Sequence, residues 1–432
     1  AGARTLTFSL DEDTTRQLLQ DVPAAYHTQI NDVLLTALAR ALSNWTHAES
    51  VLIDLEGHGR EEIFTDLDLS RTVGWFTSLF PVRLTADHAD IGSALKTVKE
   101  QLRSIPNRGL GYGVLRYLNS SPEVTEVMNA VPVSQVIFNY LGQFDQTFKN
   151  DGAFRLSDKP RGYEQGADRR RTHLLEINSS VYAGKLQIGV TYSANCHDEA
   201  TVQAFANDFN NELNNLISYC TTAGNTGFTP SDFPLAKLTQ IDVDRLTGGD
   251  QVIADIYPVT PMQHGLLFHT IHQQDGAAYL TQVNWELRGE IDAGIFEKAW
   301  QMVCDRHASL RTGIFDVNET MPLQVVYQVA SIKLNFNDWR SKSPEKFQSA
   351  LQQFLDKEGS TPFDLQKPPL IRINLFRRDD DHYQFIWCYH HIIMDGWSIP
   401  IVIGEVLQAY NSLSEGKSPD LTDERPYRDY VA

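Results

Sequence analysis

Cysteine is scarce in this chain. Cys196, Cys220, Cys304 and Cys388 are the only four in 432 residues, and they form neither a CxxC pair nor the Cys/His spacing of a zinc site. A disulfide framework is excluded as the organising feature, and a reduced, cytoplasmic setting is expected. Positive charge is also short: 37 Lys+Arg stand against 55 Asp+Glu, a net charge of −18. That balance argues against nucleic acid or an anionic membrane surface as partner. No apolar run is long enough to span a bilayer, and the N-terminus lacks a signal-peptide layout. Gly-Leu-Gly-Tyr-Gly (109–113) lacks the Lys-Ser/Thr that closes a phosphate-binding loop. With metal-ligand spacings missing as well, neither a metal nor a nucleotide is expected to bind. There is no internal repeat and no low-complexity segment. The chain starts Ala-Gly-Ala without methionine, so it is expected to be an excised piece of something larger.

What is present is an ordinary globular composition, 42% hydrophobic and 21% charged, in a chain long enough for two or three cores. Thr, Gly, Pro, Asp and Ser cluster in TTAGNTGFTPSDFPLAKLTQIDVDRLTGGD, so 221–250 reads as a linker with a short helix at Ile241–Leu246. Residues 1–220 and 251–432 then form separate lobes. In the first, 28–45 and 198–219 have helical periodicity, VLIDLEG (51–57) reads as a strand, and 174–193 reads as a hairpin turning at Ala183-Gly184. In the second, 260–272 and 295–307 read as helices, while AYLTQVNWELRG and LQVVYQV read as strands. Each lobe therefore mixes helix and strand, an α/β architecture.

Two stretches carry chemistry. In CYHHIIMDGWS (388–398), an apolar strand leads into two histidines, an aspartate and a glycine. Strand alternation puts Tyr383, Phe385, Trp387, Tyr389 and His391 on one face, and Ile386, Cys388 and His390 on the other. At most one histidine then lines a given cavity. A histidine at such a strand-to-helix corner can act as a general base, and Gly396 permits a tight bend. Arg306 and Arg311, in RHASLRTGIF, flank a helix-to-strand junction, where either can hold Asp395 in a bidentate pair and make it a scaffold residue. The second stretch is EGHGREE (56–62). It ends a strand so that Glu56 shares a face with Asp54, with His58 and Arg60 positioned to tune its carboxylate. A buried glutamate at that corner can remove or return a proton.

These motifs carry a family resemblance. HHIIMDGWS, RHASLRTGIF and DIYPVTPMQHGLLFH (255–269) together resemble the front half of a condensation domain of nonribosomal peptide synthetases, in the form that accepts a D-configured donor. NDVLLTALARAL, EGHGREE, RTVGWFTSLFP, GLGYG and FNYLGQFD (138–145) resemble the back half of an epimerization domain of the same synthetases. The resemblance implies an α+β sandwich of two chloramphenicol-acetyltransferase-like lobes joined by a linker. By the same resemblance, His391 orients or deprotonates an acceptor amine, and an amide near Gly396 faces the oxyanion. Glu56 exchanges an α-proton with a histidine partner on a lobe this chain lacks, and Tyr140 shapes that site. No cofactor is bound directly. The phosphopantetheine arm comes on partner carrier proteins, upstream and downstream, loaded by an adenylation domain of the same synthetase.

Two departures accompany the resemblance. The domain order is preserved, but each domain is half present, so the isolated chain is expected to be inactive. His264 stands where the family often has glutamate. Other readings are a stand-alone His-x-x-x-Asp acyltransferase using coenzyme A, and a non-catalytic or engineered half-domain platform that binds carriers. The chain carries no carrier serine motif and no adenylation motif of its own.

Overall fold

The computed structural model describes residues 2–61, 63, 66–85, 87, 90–143, 170–248, 252–272, 278–316, 322–422 and 424–432. They divide into two compact units, 1–232 and 233–432.

In the first unit the principal elements are β1 (Ala3–Ser9), α1 (Ile30–Thr46), β2 (Val51–Gly57), β3 (Ser78–Leu84), α2 (Ile91–Arg103), β4 (Val136–Gln143), β5 (Leu175–Tyr182), β6 (Lys185–Ser193) and α3 (Glu199–Thr221). The strands form one sheet in the order β1-β6-β5-β4-β2-β3. Its centre, β5-β4-β2, is parallel, and β6, β1 and β3 add antiparallel edges. The β5–β6 hairpin turns on Ala183 (φ 50°) and Gly184 (φ 71°), with Tyr182 opposite Lys185. Two consecutive positive φ values give the turn twist that matches paired strands.

Helix α1 is buried continuously from Asp32 to Ser43, as expected for a helix apolar around its girth. Leu34, Leu35, Leu38 and Leu42 each remove a full side chain from water, worth roughly 2 kcal/mol apiece. The charges that this burial carries inside are matched. Arg40 Nε donates to Glu212 of α3 at 2.5 Å, and Arg103 of α2 clasps Asp32 at 2.9 and 2.7 Å. After α3 the chain stays on this unit: Lys99, fully buried on α2, donates to both carboxylate oxygens of Asp232 at 2.7 Å and to the Tyr26 carbonyl at 3.0 Å. Residues 222–232, read from composition as linker, thus belong to the body of the first unit.

In the second unit the principal elements are α4 (Gln240–Thr247), β7 (Ile253–Pro258), α5 (Pro261–His272), β8 (Leu280–Arg288), α6 (Ala293–Arg306), β9 (Thr312–Asp316), β10 (Pro322–Tyr327), β11 (Leu334–Asp338), α7 (Pro344–Gly359), β12 (Ile371–Arg377), β13 (His382–His390) and α8 (Ser398–Ser414). One sheet runs β7-β10-β9 and a second β11-β12-β13-β8. Strand β13 is buried on both faces. Tyr383, Phe385, Trp387 and Tyr389 join the core with Phe296 and Trp300 of α6, while Ile386 and Cys388 join Phe347 and Leu351 of α7. Phe296 meets Phe385 edge-on at 5.3 Å, and Trp300 meets Trp387 at 5.1 Å, geometries that suit the ring quadrupoles. The expected alternation holds as far as His390, where the strand ends; His391 lies in the following turn. Among the described residues no helix is long and apolar enough to cross a membrane.

Candidate functional site

The two candidate corners, around Glu56 and His391, fall one in each unit. In the first, a cavity of about 550 Å³ opens beside the carboxyl ends of the parallel strands β2 and β4. Parallel sheets commonly form ligand crevices at those ends, since the strands stop there and side chains converge from neighbouring loops. Glu56, Gly57, His58, Asn139 and Tyr140 all line it, facing Asp32, Leu35 and Arg103. Asn139 Nδ2 donates to Glu56 Oε2 at 2.6 Å. Burial raises the Glu56 carboxyl above its ordinary range and repulsion from Glu176 adds to this, against the Asn139 hydrogen bond and His173. A carboxyl so placed is a better proton carrier near neutrality than a solvated one. Burial also raises the Tyr140 hydroxyl.

The approach to Glu56 depends on Gly59. Its φ is +66°, and a Cβ there would stand 1.6 Å from the Phe76 carbonyl oxygen, so only glycine fits. His58 and Arg60 do not take the tuning role expected of them. His58 Nε2 lies 3.2 Å from Glu61, and the Arg60 guanidinium stacks on Phe76 at 4.2 Å.

In the second unit, His391 follows β13. Its amide donates to the Tyr279 carbonyl at 2.8 Å, and its ring Nδ1 lies 2.8 Å from the Met394 carbonyl. A carbonyl can only accept, so Nδ1 carries a proton. His390 points elsewhere. Its Nδ1 accepts from the Ile392 amide at 3.2 Å, and its Nε2 lies 3.3 Å from Thr270 Oγ1. Burial, with repulsion from His391, pushes its pKa down to about 4. It is a neutral core residue.

A family model described as Condensation domain matches residues 2–239 and 253–432. The chain belongs to the condensation-domain family. It is 41% identical over 433 residues to a linear gramicidin synthase of Brevibacillus parabrevis, covering 100% of this chain and 6% of that protein. It is 37% identical over 433 residues to bacitracin synthase 3 of Bacillus licheniformis, covering 99% and 7%. The chain therefore spans well under a tenth of the length of these relatives. Among solved structures, the epimerization domain from the third module of tyrocidine synthetase B is 39% identical, with a TM-score of 0.48 over 51% of this chain and 49% of that one. The starter condensation domain of rhizomide synthetase is 21% identical, with a TM-score of 0.38 over 41% and 42%.

Within this condensation-domain chain, the expected ion pair between Asp395 and an arginine is not formed. Arg306, at the end of α6, turns to Glu405 of α8 (3.3 Å), and Arg311 donates to the carbonyls of Tyr327 and Gln328. Asp395 instead accepts from the Ser398 amide at 2.9 Å and its hydroxyl at 2.8 Å, which hold its carboxyl below the usual range. It holds the turn before α8 through Ser398, the first residue of that helix. The bend does not rest on Gly396 either: its φ is not positive, and a Cβ there would meet nothing within 4 Å. His264 sits exposed on α5.

Sequence reasoning misses Asn139, His173 and Glu176. Asn139 stands next to Tyr140 in a conspicuous stretch, but its tie to Glu56 depends on β4 lying parallel beside β2, 83 residues away.

Proposed function

We propose that the chain spans a junction in a nonribosomal peptide synthetase, where an epimerization domain is followed by a condensation domain for D-configured donors. The first unit is the C-terminal lobe of the former and the second the N-terminal lobe of the latter. The observation that carries this reading is one candidate proton-handling group per unit, each of the kind its half-reaction needs: a cavity-lining glutamate held by Asn139 and a histidine whose Nδ1 is fixed on a backbone carbonyl.

In epimerization, a thioester acidifies the α-carbon proton of a carrier-bound residue. Glu56 removes or returns that proton on one face, and a histidine of the complementary lobe acts on the other. General acid–base groups contribute about 10²–10⁴-fold when they lie within hydrogen-bond reach of the proton. In condensation, His391 Nε2 accepts a hydrogen bond from the acceptor amine as it attacks the donor thioester carbonyl. The C–N bond forms, the C–S bond breaks, and the donor carrier keeps the thiol. An amide in the turn at Gly396, ahead of α8, is the group assigned to face the oxyanion. The substrates arrive on phosphopantetheine arms of carrier proteins, loaded by an adenylation domain of the same synthetase.

The test is α-proton exchange from deuterated water into an aminoacyl carrier protein. The chain alone is expected to give background. Supplying an N-terminal lobe of an epimerization domain is expected to restore exchange, which Glu56→Gln then abolishes. His391→Ala in a complete condensation domain is expected to abolish peptide transfer with the fold intact. Exchange by the chain alone that Glu56→Gln removes would overturn the half-domain reading, and hydrolysis of acyl-coenzyme A would favour a stand-alone acyltransferase.

A further inference from the structure

The turn that carries His391 is held by a buried side-chain amide that the reaction above does not use. Thr260 stands immediately before α5, and Gln263, three residues on, bonds back to it in the pattern of a capping box. Gln263 Oε1 accepts from the Thr260 amide at 2.9 Å and its hydroxyl at 3.1 Å, and Thr260 Oγ1 accepts from the Gln263 amide at 3.4 Å. That much is ordinary chemistry for a helix start. The other end of the side chain reaches further. Gln263 Nε2 donates to the Ile392 carbonyl and to Gln324 Oε1 of β10, both at 2.9 Å. Gln324 Nε2 in turn donates to the Pro258 carbonyl at 3.1 Å. Gln263 is 6% exposed and Gln324 2%, so these bonds are shielded from bulk water. The partners also fix which way the amide points. Turned over, its Nε2 would face the Thr260 amide and its Oε1 would face two acceptors.

Ile392 follows His391 directly. The His391 amide is held by the Tyr279 carbonyl, the Ile392 amide by the His390 ring and the Ile393 amide by the His390 carbonyl at 3.3 Å. Gln263 ties the same turn to α5 and, through Gln324, to β10. The turn then closes on itself, because the Met394 carbonyl lies 2.8 Å from His391 Nδ1. We propose that Gln263 is a positioning residue for His391. Its two amide protons fix the Ile392 carbonyl, and through it the Met394 carbonyl that keeps a proton on Nδ1. Gln324 keeps the Gln263 amide from rotating away. A glutamate at 263 would complete the capping box equally well. It would, however, offer oxygen where Ile392 and Gln324 already present oxygen, leaving buried acceptors unanswered. The use of the ring in condensation rests on the role of His391 proposed above; its placement does not.

The experiment is ¹⁵N spectroscopy of the histidine rings in the full chain, with the His391 signals assigned by their loss in His391→Gln. Spectra are taken at a pH where that ring is neutral, so that the two nitrogen shifts report its tautomer. The wild type is expected to hold the proton on Nδ1. Gln263→Glu keeps the capping box and loses both donors, and Gln263→Met loses them without adding charge. In both, the His391 ring is expected to become a mixture of tautomers while the far-ultraviolet circular dichroism stays unchanged. A wild type with the proton on Nε2 overturns the proposal. So does a folded variant whose proton stays on Nδ1, which would leave Gln263 a capping residue only. Should neither variant fold, Gln324→Met decides, with the same mixture expected and an unchanged tautomer overturning the proposal. In a complete condensation domain carrying this lobe, Gln263→Met is expected to lower kcat for peptide transfer by about 10²-fold, the cost of a misplacement of about 1 Å, with KM for the carriers unchanged. Mixed tautomers with undiminished transfer would count against the role of His391 and leave its placement by Gln263 standing.

Discussion

At the scale of single residues, the two histidines of His390–His391 show how one register step separates roles. Buried His390 refuses a proton until about pH 4, whereas the unfolded chain takes one near 6.5. Between those values the unfolded state binds more protons, so this residue's contribution is fully present above about pH 6.5 and is lost as pH falls towards 4. Denaturant melts at several pH values should show that decline, and His390→Gln, if folded, should flatten it. Asp395 leads to a different magnitude from the one an ion pair would give. Losing hydrogen bonds to a carboxylate in an exposed turn costs about 0.5–2 kcal/mol, whereas orphaning a buried arginine costs about 3–5. Asp395→Ala should therefore fall in the lower range by urea unfolding, and a loss in the higher range would restore the arginine partnership.

At the scale of elements, two glycines in equally conspicuous motifs behave differently. Gly59 sits at φ +66° against the Phe76 carbonyl, and Gly396 sits in open space with an ordinary backbone. Gly59→Ala should lower the melting temperature clearly, since a residue forced into that conformation costs about 1–3 kcal/mol before the clash is counted. Gly396→Ala should leave it nearly unchanged. A stable Gly59→Ala protein would mean that the loop after β2 is free to rebuild. These strands are legible in the sequence: β2, β5 and β6 follow period-two patterns, β13 reads as a continuous apolar run buried on both faces, and the Ala183-Gly184 turn is visible as a dipeptide. What those patterns do not show is where β13 stops. The strand ends at His390 and the next amide bonds to Tyr279, so the alternation that places His391 among the core aromatics does not extend to it.

At the scale of the whole molecule, composition and packing put the end of the first unit at different places. Polar, turn-rich sequence begins at 221, but the first unit closes at Asp232, because the buried Lys99 ammonium requires that carboxylate. Burial lowers the proton affinity of Lys99 and the Asp232 hydrogen bonds oppose this. Lys99→Met should destabilise the first unit by about 3–5 kcal/mol, the usual cost of removing one partner of a buried pair. Guanidinium unfolding of the wild type and variant measures it, and a loss under about 1 kcal/mol would mean that solvent reaches Asp232 and that 222–232 is held by other contacts.

The sequence by itself determined part of the elements, among them α1, β2, the β5–β6 hairpin, α3 and β13, together with the two-lobed α/β architecture, the family and the identity of Glu56 and His391 as candidates. Those rest on short-range periodicity, turn chemistry and contiguous motifs, which are local properties of the chain. The tertiary structure alone decided which groups attend each candidate. Asn139 and His173 reach Glu56 and Asp54 from 83 and 119 residues away, and Arg306 and Arg311 turn from Asp395 to Glu405 and to two backbone carbonyls. The physical reason is that a side chain's partners follow from strand order and register. Parallel neighbours are joined by long crossovers, so a local reading can locate a charged residue but not the residue that answers it.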